Sequence, residues 1–316
     1  MVYLIPGSLK YPKLFSFKPN QTKMGEKEVA HIAWPGPDKK LHKLRINLDN
    51  LHGNFETVVI DGVTSMETPA LAVGDADTSI IWTGLDNRLQ SAKARRGNVY
   101  SKSASAESSI GGFAVTSDKT VFAWAGEDKN LYIGHIFLPN GNFKSKFPLK
   151  EQSSDAPAIA RLDKKVVYLA WTGLDRHLNL LTFDLEAGVV LKKVTLSDTS
   201  ISSPSITVDA SGKVYITWAG LDRRLNIGRA SVNESEIRDK KIFEEKVRYA
   251  PCIASKKGKS VVWSSTDGSL NVANLDDSLN MRTKRAFPWK AVAGPAFSIA
   301  TSVATGLATD IIGSFL

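Results

Sequence analysis

The chain has 316 residues, 42% hydrophobic and 23% charged, with a formal net charge of +9 and a single cysteine. That balance suffices for a core and is ordinary for a folded protein, and one cysteine excludes an intrachain disulfide framework. The first residues, MVYLIPGSLKYPKLF, lack a basic region followed by an apolar run of roughly 7–15 residues, so cytoplasmic synthesis without a secretory signal is expected, with release by lysis or a non-standard route left open.

In chain order, one device returns six times: HIAWPGPDKKLHKL (Trp34, Asp38, Leu41), IIWTGLDNRLQ (Trp82, Asp86, Leu89), FAWAGEDKNLYI (Trp124, Asp128, Leu131), VYLAWTGLDRHLNL (Trp171, Asp175, Leu178), YITWAGLDRRLNI (Trp218, Asp222, Leu225) and VVWSSTDGSLNV (Trp263, Asp267, Leu270). In every copy the Asp lies four residues after the Trp, and the Leu three after the Asp. Six of the seven tryptophans sit in this setting, 42 to 48 residues apart. A fixed period of that length marks a repeat architecture.

Ahead of most Trp runs stands a short segment opened by proline, such as PALAV (Pro69), PAIA (Pro157), PSITV (Pro204) and PCIA (Pro251). Proline suits the first position of a strand, where no ladder yet needs its N–H. A β-branched run ending in Trp, a Gly/Asp turn and a Leu-Asn run then form a hairpin, and a polar, basic segment follows, as in GNFKSKFPL. Four strands per unit predict an all-β fold, a β-propeller with one blade per unit. Units begin near residues 19, 69, 112, 157, 204, 251 and 295, the last as PAFSI without a Trp turn. The 22 residues from Pro295 onward and the 18 before Pro19 together make nearly one repeat. The expectation is therefore one domain, 1–316, of seven four-stranded blades, the last shared by C-terminal strands and by Val2–Ile5 and Leu14–Phe17.

The alternative is six blades plus a C-terminal helix, since Ile299, Val303, Leu307, Ile311 and Phe315 are spaced by four. The same tail is too rich in Ala, Gly, Ser and Thr, and too interrupted by Pro295, to be expected as a membrane span.

Each recurring residue has a structural and a chemical reading. A Trp repeated once per blade packs between sheets or offers a sugar a stacking face; the turn Asp organises its hairpin or accepts sugar hydroxyls. After the Asp come Lys39-Lys40, Asn87-Arg88, Lys129-Asn130, Arg176-His177 and Arg223-Arg224, expected at equivalent places around the ring. The candidate ligand-binding residues are thus Trp82, Asp86, Arg88, Trp124, Asp128, Trp171, Asp175, Arg176, His177, Trp218, Asp222, Arg223 and Arg224. Lysines of the last segment, among them Lys146, Lys193, Lys240 and Lys284, are expected to protect an exposed sheet edge. Cys252 reads as a buried thiol. No phosphate-binding loop, nucleophile elbow or metal-ligand spacing is present, and no carboxylate pair is singled out, so no catalytic residue, metal or cofactor is assigned. Asp75 and Asp77 in GDADTS make only a two-residue calcium signal. The aromatics are committed to strands rather than interleaved with basic residues, which argues against nucleic acid.

The W-x-G-x-D-x-x-L-N turn resembles the Asp-box hairpins of sialidase-like propellers, most nearly at SSTDGSL (Ser264–Leu270), and the unit count with one aromatic turn each resembles bacterial and fungal propeller lectins. Most copies lack the Asp-box glycine after the Asp, so only Asp38, Asp86, Asp128, Asp175, Asp222 and Asp267 carry over, as turn organisers. The function expected is non-catalytic, multivalent carbohydrate binding, with a glycan or glycoconjugate as partner. The alternatives are a glycoside-processing enzyme, which would need two carboxylates at one bond, and a protein-interaction scaffold of a toxin or secreted assembly.

Overall fold

A computed structural model describes residues 13–15, 29–35, 39–65, 67, 69–73, 78–95, 98–116, 120–137, 142–255 and 258–287. Their strands form six four-stranded antiparallel sheets, each built from four consecutive strands. Blade 1 comprises β1 (Lys13–Phe15), β2 (Val29–Pro35), β3 (Lys40–Asn47) and β4 (Phe55–Thr64), and blade 2 comprises β5 (Ala70–Val73), β6 (Thr78–Thr83), β7 (Arg88–Arg95) and β8 (Asn98–Ser108). Blade 3 has β9 (Ala114–Val115), β10 (Val121–Ala125), β11 (Asn130–Phe137) and β12 (Asn142–Gln152); blade 4 has β13 (Ala158–Arg161), β14 (Val166–Thr172), β15 (His177–Asp184) and β16 (Val189–Thr199). Blade 5 is β17 (Ser205–Val208), β18 (Val214–Ala219), β19 (Arg224–Ala230) and β20 (Arg238–Lys246); blade 6 is β21 (Cys252–Ser255), β22 (Lys259–Ser264), β23 (Leu270–Leu275) and β24 (Met281–Phe287). Pro69, Pro157, Pro204 and Pro251 each stand one residue ahead of a first strand, where a missing N–H is harmless.

The blade number corrects the sequence-based expectation of seven. The Trp turns count the blades, because each sheet contains one such hairpin between its second and third strands. The proline-opened segments overcounted. Leu14 and Phe15 also take a different place from the one expected: they belong to the first strand of blade 1, paired with β2, not to the last strands of a shared blade. The units near Pro19 and Pro295, the closing strands at Val2–Ile5, the tail helix, Asp38, Asp75 and Asp77 lie outside the described residues.

Closure is achieved by side chains. Ile32, Trp34, Leu44 and Ile46 of blade 1 share a core with Cys252, Val262, Val272 and Phe287 of blade 6. The Asn274 amide donates to the Leu48 carbonyl (2.8 Å), and the Arg285 guanidinium donates to the carbonyls of Leu51 (2.5 Å) and Gly53 (2.6 Å). The buried Cys252 thiol belongs to this seam.

The core is a ring of such seams. Six apolar clusters each join two neighbouring blades, and each contains one motif tryptophan. Trp171 packs with blade 3 residues Ala123, Leu131 and Ile133, and Trp218 with blade 4 residues Ala170, Leu178 and Leu180. The indole thus faces the preceding blade, and six indoles serve six seams.

Outer-strand lysines reinforce the seams. Lys146 pairs with Glu107 of the blade before (2.5 Å), Lys193 with Glu151 (2.7 Å), Lys240 with Asp198 (2.9 Å) and Lys284 with Glu245 (3.3 Å). Lys146, Lys193 and Lys284 also lie over the indoles of Trp124, Trp171 and Trp263, at 5.9, 5.8 and 5.3 Å. Alternation along β16 sends Lys192 the other way, to Asn233 of blade 5. Part of the positive charge therefore ties blades together. A double-mutant cycle on Lys193 and Glu151 is expected to give a coupling of about 1 kcal/mol or less, given their partial exposure, and one that shrinks with salt.

Candidate functional site

One end of the propeller carries both the Trp-Asp turns and the crossovers from each outer strand to the next blade. The turn is built identically in blades 2 to 6. In blade 4, the Arg176 N–H donates to the Gly173 carbonyl (2.9 Å) and the Gly173 N–H to the His177 carbonyl (2.8 Å). The Asp175 carboxylate accepts from the His177 N–H (3.0 Å). This is a type I turn closed by a residue in the left-handed conformation. That residue is Lys39, Asn87, Lys129, Arg176 or Arg223, with φ between 61° and 68°, and Gly268 in blade 6, with φ 87°.

The local sequence follows from this geometry. A Cβ added to Gly84, Gly126 or Gly173 would lie 2.6–2.7 Å from the carboxylate of Asp86, Asp128 or Asp175, so the motif glycine is set by the close approach of the Asp. Blade 6 solves the same problem differently: Ser265 stands in place of glycine, and its hydroxyl donates to Asp267 (2.5 Å). Hydrogen bonds hold several of these carboxylates below the ordinary range. The Tyr132 hydroxyl is foremost for Asp128, the Arg224 N–H and guanidinium for Asp222, and the Ser265 hydroxyl for Asp267.

A left-handed conformation costs a residue with a side chain about 1–2 kcal/mol, whereas glycine gives back about 0.4–1 kcal/mol through the unfolded state. The first effect wins. Lys129→Gly is therefore expected to raise stability by several tenths of a kcal/mol, read as a higher urea midpoint.

In blades 2 to 5 the carbonyl of the left-handed residue accepts an N–H from the end of its own outer strand: Asn87 from Ser109, Lys129 from Ser153, Arg176 from Ser200 and Arg223 from Val247, at 2.8–3.0 Å. The crossover is then sewn to the following blade. The Ser153 hydroxyl donates to the Thr172 carbonyl and the Ser200 hydroxyl to the Ala219 carbonyl, both at 3.0 Å. Turn and crossover become one rigid rim.

Between blades 4 and 5 this rim encloses an open pocket of about 640 Å³. Arg176 enters it from the blade 4 turn, Arg223 from the blade 5 turn, and Arg248 and Tyr249 from the crossover to blade 6. Asp155, Leu174 and Ile201 complete the mixture of charged and apolar groups. The Arg248 guanidinium lies 5.3 Å from the Tyr249 ring centroid. Asp155 accepts the N–H groups of Ala156 (2.8 Å) and Ser203 (3.3 Å), bridging two crossovers.

The expected site residues separate accordingly. Trp82, Trp124, Trp171 and Trp218 are 0–1% exposed within the seams and present no stacking face to solvent. Asp86, Asp128, Asp175 and Asp222 are engaged with backbone N–H groups of their own turns. The paired cations do not act alike. Arg176 and Arg223 line the pocket, whereas His177 turns to the Leu196 carbonyl of its own outer strand (3.2 Å), and Arg224 to Asp222 and Glu244. Arg88 opens β7 opposite Ser108. Sequence reasoning missed Arg248, Tyr249 and Asp155. For Arg248 and Tyr249 the signal was a departure from the repeat: the crossover before Pro251 reads V-R-Y-A, where the one before Pro204 reads S-I-S-S. Among the described residues no cluster of His, Cys, Asp and Glu could hold a metal, and no helix is long and apolar enough to cross a membrane.

No known family model matches the chain, and no curated protein matches it in sequence. Solved structures do match in fold. The lectin of Aleuria aurantia, as a mutant with α-methyl-L-fucoside, gives a TM-score of 0.66 at 9% identity, covering 92% of this chain and 99% of the lectin. A mercury derivative of the same fucose-specific lectin gives 0.64 at 9% identity, over 92% and 99%. A third structure, described as a six-bladed β-propeller with a novel mode of fucose recognition, gives 0.63 at 9% identity, over 90% and 97%. The expected resemblance to propeller lectins thus holds at the level of the fold, and the described residues of the chain form a six-bladed β-propeller.

Proposed function

We propose that the protein is a non-catalytic carbohydrate-binding protein whose sites lie on the turn-and-crossover rim. The observation that carries this reading is the pocket between blades 4 and 5, where donors from Arg176, Arg223 and Arg248 surround apolar faces from Leu174, Ile201 and Tyr249. A sugar offers the complementary surface, hydroxyl oxygens on its edges and an apolar face on its ring. The fold neighbours, fucose-binding lectins of the same six-bladed shape, add weight to it. Because the turn backbone repeats while the left-handed residue varies among Lys, Asn, Arg and Gly, the rim sites are related in shape but unequal in chemistry. Hydrolysis would need two carboxylates flanking one bond. The carboxylate lining this pocket, Asp155, is already tied to two backbone N–H groups. The test is a glycan array with the intact protein: retention of a defined glycan subset, without release of cleaved sugar, is the expected outcome, and retention of none would reject the reading.

A further inference from the structure

We infer that the pocket between blades 4 and 5 takes a glycan bearing an anionic group, a carboxylate or a sulfate ester. This rests on the carbohydrate-binding reading and adds the class of ligand. Among the described residues, three guanidiniums line the pocket against one carboxylate, that of Asp155. Asp155 is spent on the N–H groups of Ala156 and Ser203. The neighbouring acids are engaged as well: Asp175 holds the His177 N–H, and Asp222 holds the N–H and guanidinium of Arg224. Among the described residues, the side chains of Arg176 and Arg223 have no hydrogen-bond or ion-pair partner. Guanidiniums present planar forks that match carboxylate and sulfate oxygens, and such charge-assisted pairs are the stronger hydrogen bonds.

The chain provides its own control. The turns of blades 2 to 6 have the same backbone shape, yet blade 2 forms it with Asn87 and blade 6 with Gly268. Arginine is therefore not required for the turn, and at Arg176 and Arg223 it sits in a conformation that disfavours it. These two arginines occupy adjacent blades, and the crossover beyond them adds Arg248, at a position where the preceding crossover has Ile201. The N–H of each donates to the next blade, Arg248 to Ser264 (2.8 Å) and Ile201 to Ala219 (3.1 Å), so the rim presents the third cation from a fixed backbone.

The test is calorimetric titration of the full chain with sialyllactose, with 6-O-sulfated N-acetyllactosamine and with uncharged lactose. The parent is expected to bind at least one charged probe about tenfold more tightly than lactose. Arg176→Asn with Arg223→Asn copies the residue that blade 2 already carries, so the turns are kept. It should lose about tenfold toward the charged probe, a loss that shrinks between about 50 and 500 mM NaCl, while the smaller loss toward lactose, which comes from hydrogen bonds to uncharged hydroxyls, should not depend on salt. Arg248→Gln, made alone, repeats the test from a different segment if the double variant unfolds. Parent affinity for both charged probes no higher than for lactose overturns the inference, as does unchanged charged-probe affinity in both variants; array binding of neutral glycans would then leave the carbohydrate reading standing. A mixed-sequence oligonucleotide that competes at equal affinity would mark a general polyanion surface and also overturn it. No binding of any glycan on the array would reject the carbohydrate reading itself.

Discussion

Replacing Trp218 with Ala is expected to lower the stability of the propeller by about 3–5 kcal/mol, and Trp171→Ala by a similar amount. Each indole fills the seam between two sheets and is 1% exposed. Burial of an aromatic side chain removes about 150–250 Å² from water, and at about 25 cal/mol per Å² the transfer alone reaches the same range. The seam cannot close fully over the void, because blade 4 and blade 5 are held apart by Leu178, Leu180, Ile206 and Ile216 around Trp218. Urea unfolding of parent and variant gives the difference. Since the Trp lies below the rim and outside the pocket lining, residual folded protein should keep its glycan affinity. A change under about 1 kcal/mol accompanied by loss of binding would move the indole from the seam into the site.

Acid should weaken the fold through His31. Burial in β2, and then the charges of Lys43 and Arg45 on the adjacent strand, push its pKa down to about 3. In the unfolded chain the same imidazole accepts a proton near its ordinary value of 6.5. Below that value the unfolded state gains a proton that the folded state refuses, so stability is complete above pH 6.5 and declines as pH falls toward 3. The slope approaches about 1.4 kcal/mol per pH unit, and the loss attributable to this group at pH 5 is about 2 kcal/mol. Turn carboxylates such as Asp128 and Asp222, whose pKa values are lowered, add a loss of the same sign only at lower pH. The measurement is urea unfolding at pH 7.5 and 5.0 for the parent and for His31→Gln. The variant should lose distinctly less than the parent on acidification, and equal losses would show that His31 does not govern the response.

The sequence by itself determined the features that depend on neighbours a few residues apart. The W-x-G-x-D spacing is read locally because Asp175 holds the His177 N–H two residues on, and Gly173 must leave room for that carboxylate. The four-strand unit is equally local, since each sheet consists of consecutive strands joined by hairpins. Tertiary structure alone decided what depends on distant segments. Whether Leu14 and Phe15 close a seventh blade or open the first is a matter of pairing with β2 across the intervening chain, and no local pattern contains it. The division of Arg176 from His177, and of Arg223 from Arg224, has a backbone cause: the left-handed residue sits on the rim, and the next resumes strand alternation beside its own outer strand. The pocket is decided at longest range, since it joins Asp155 and Arg248 from two crossovers with Arg176 and Arg223 from two turns. Their charges meet only because the blades are set side by side around a ring, where residues one repeat apart in the chain become neighbours on the rim.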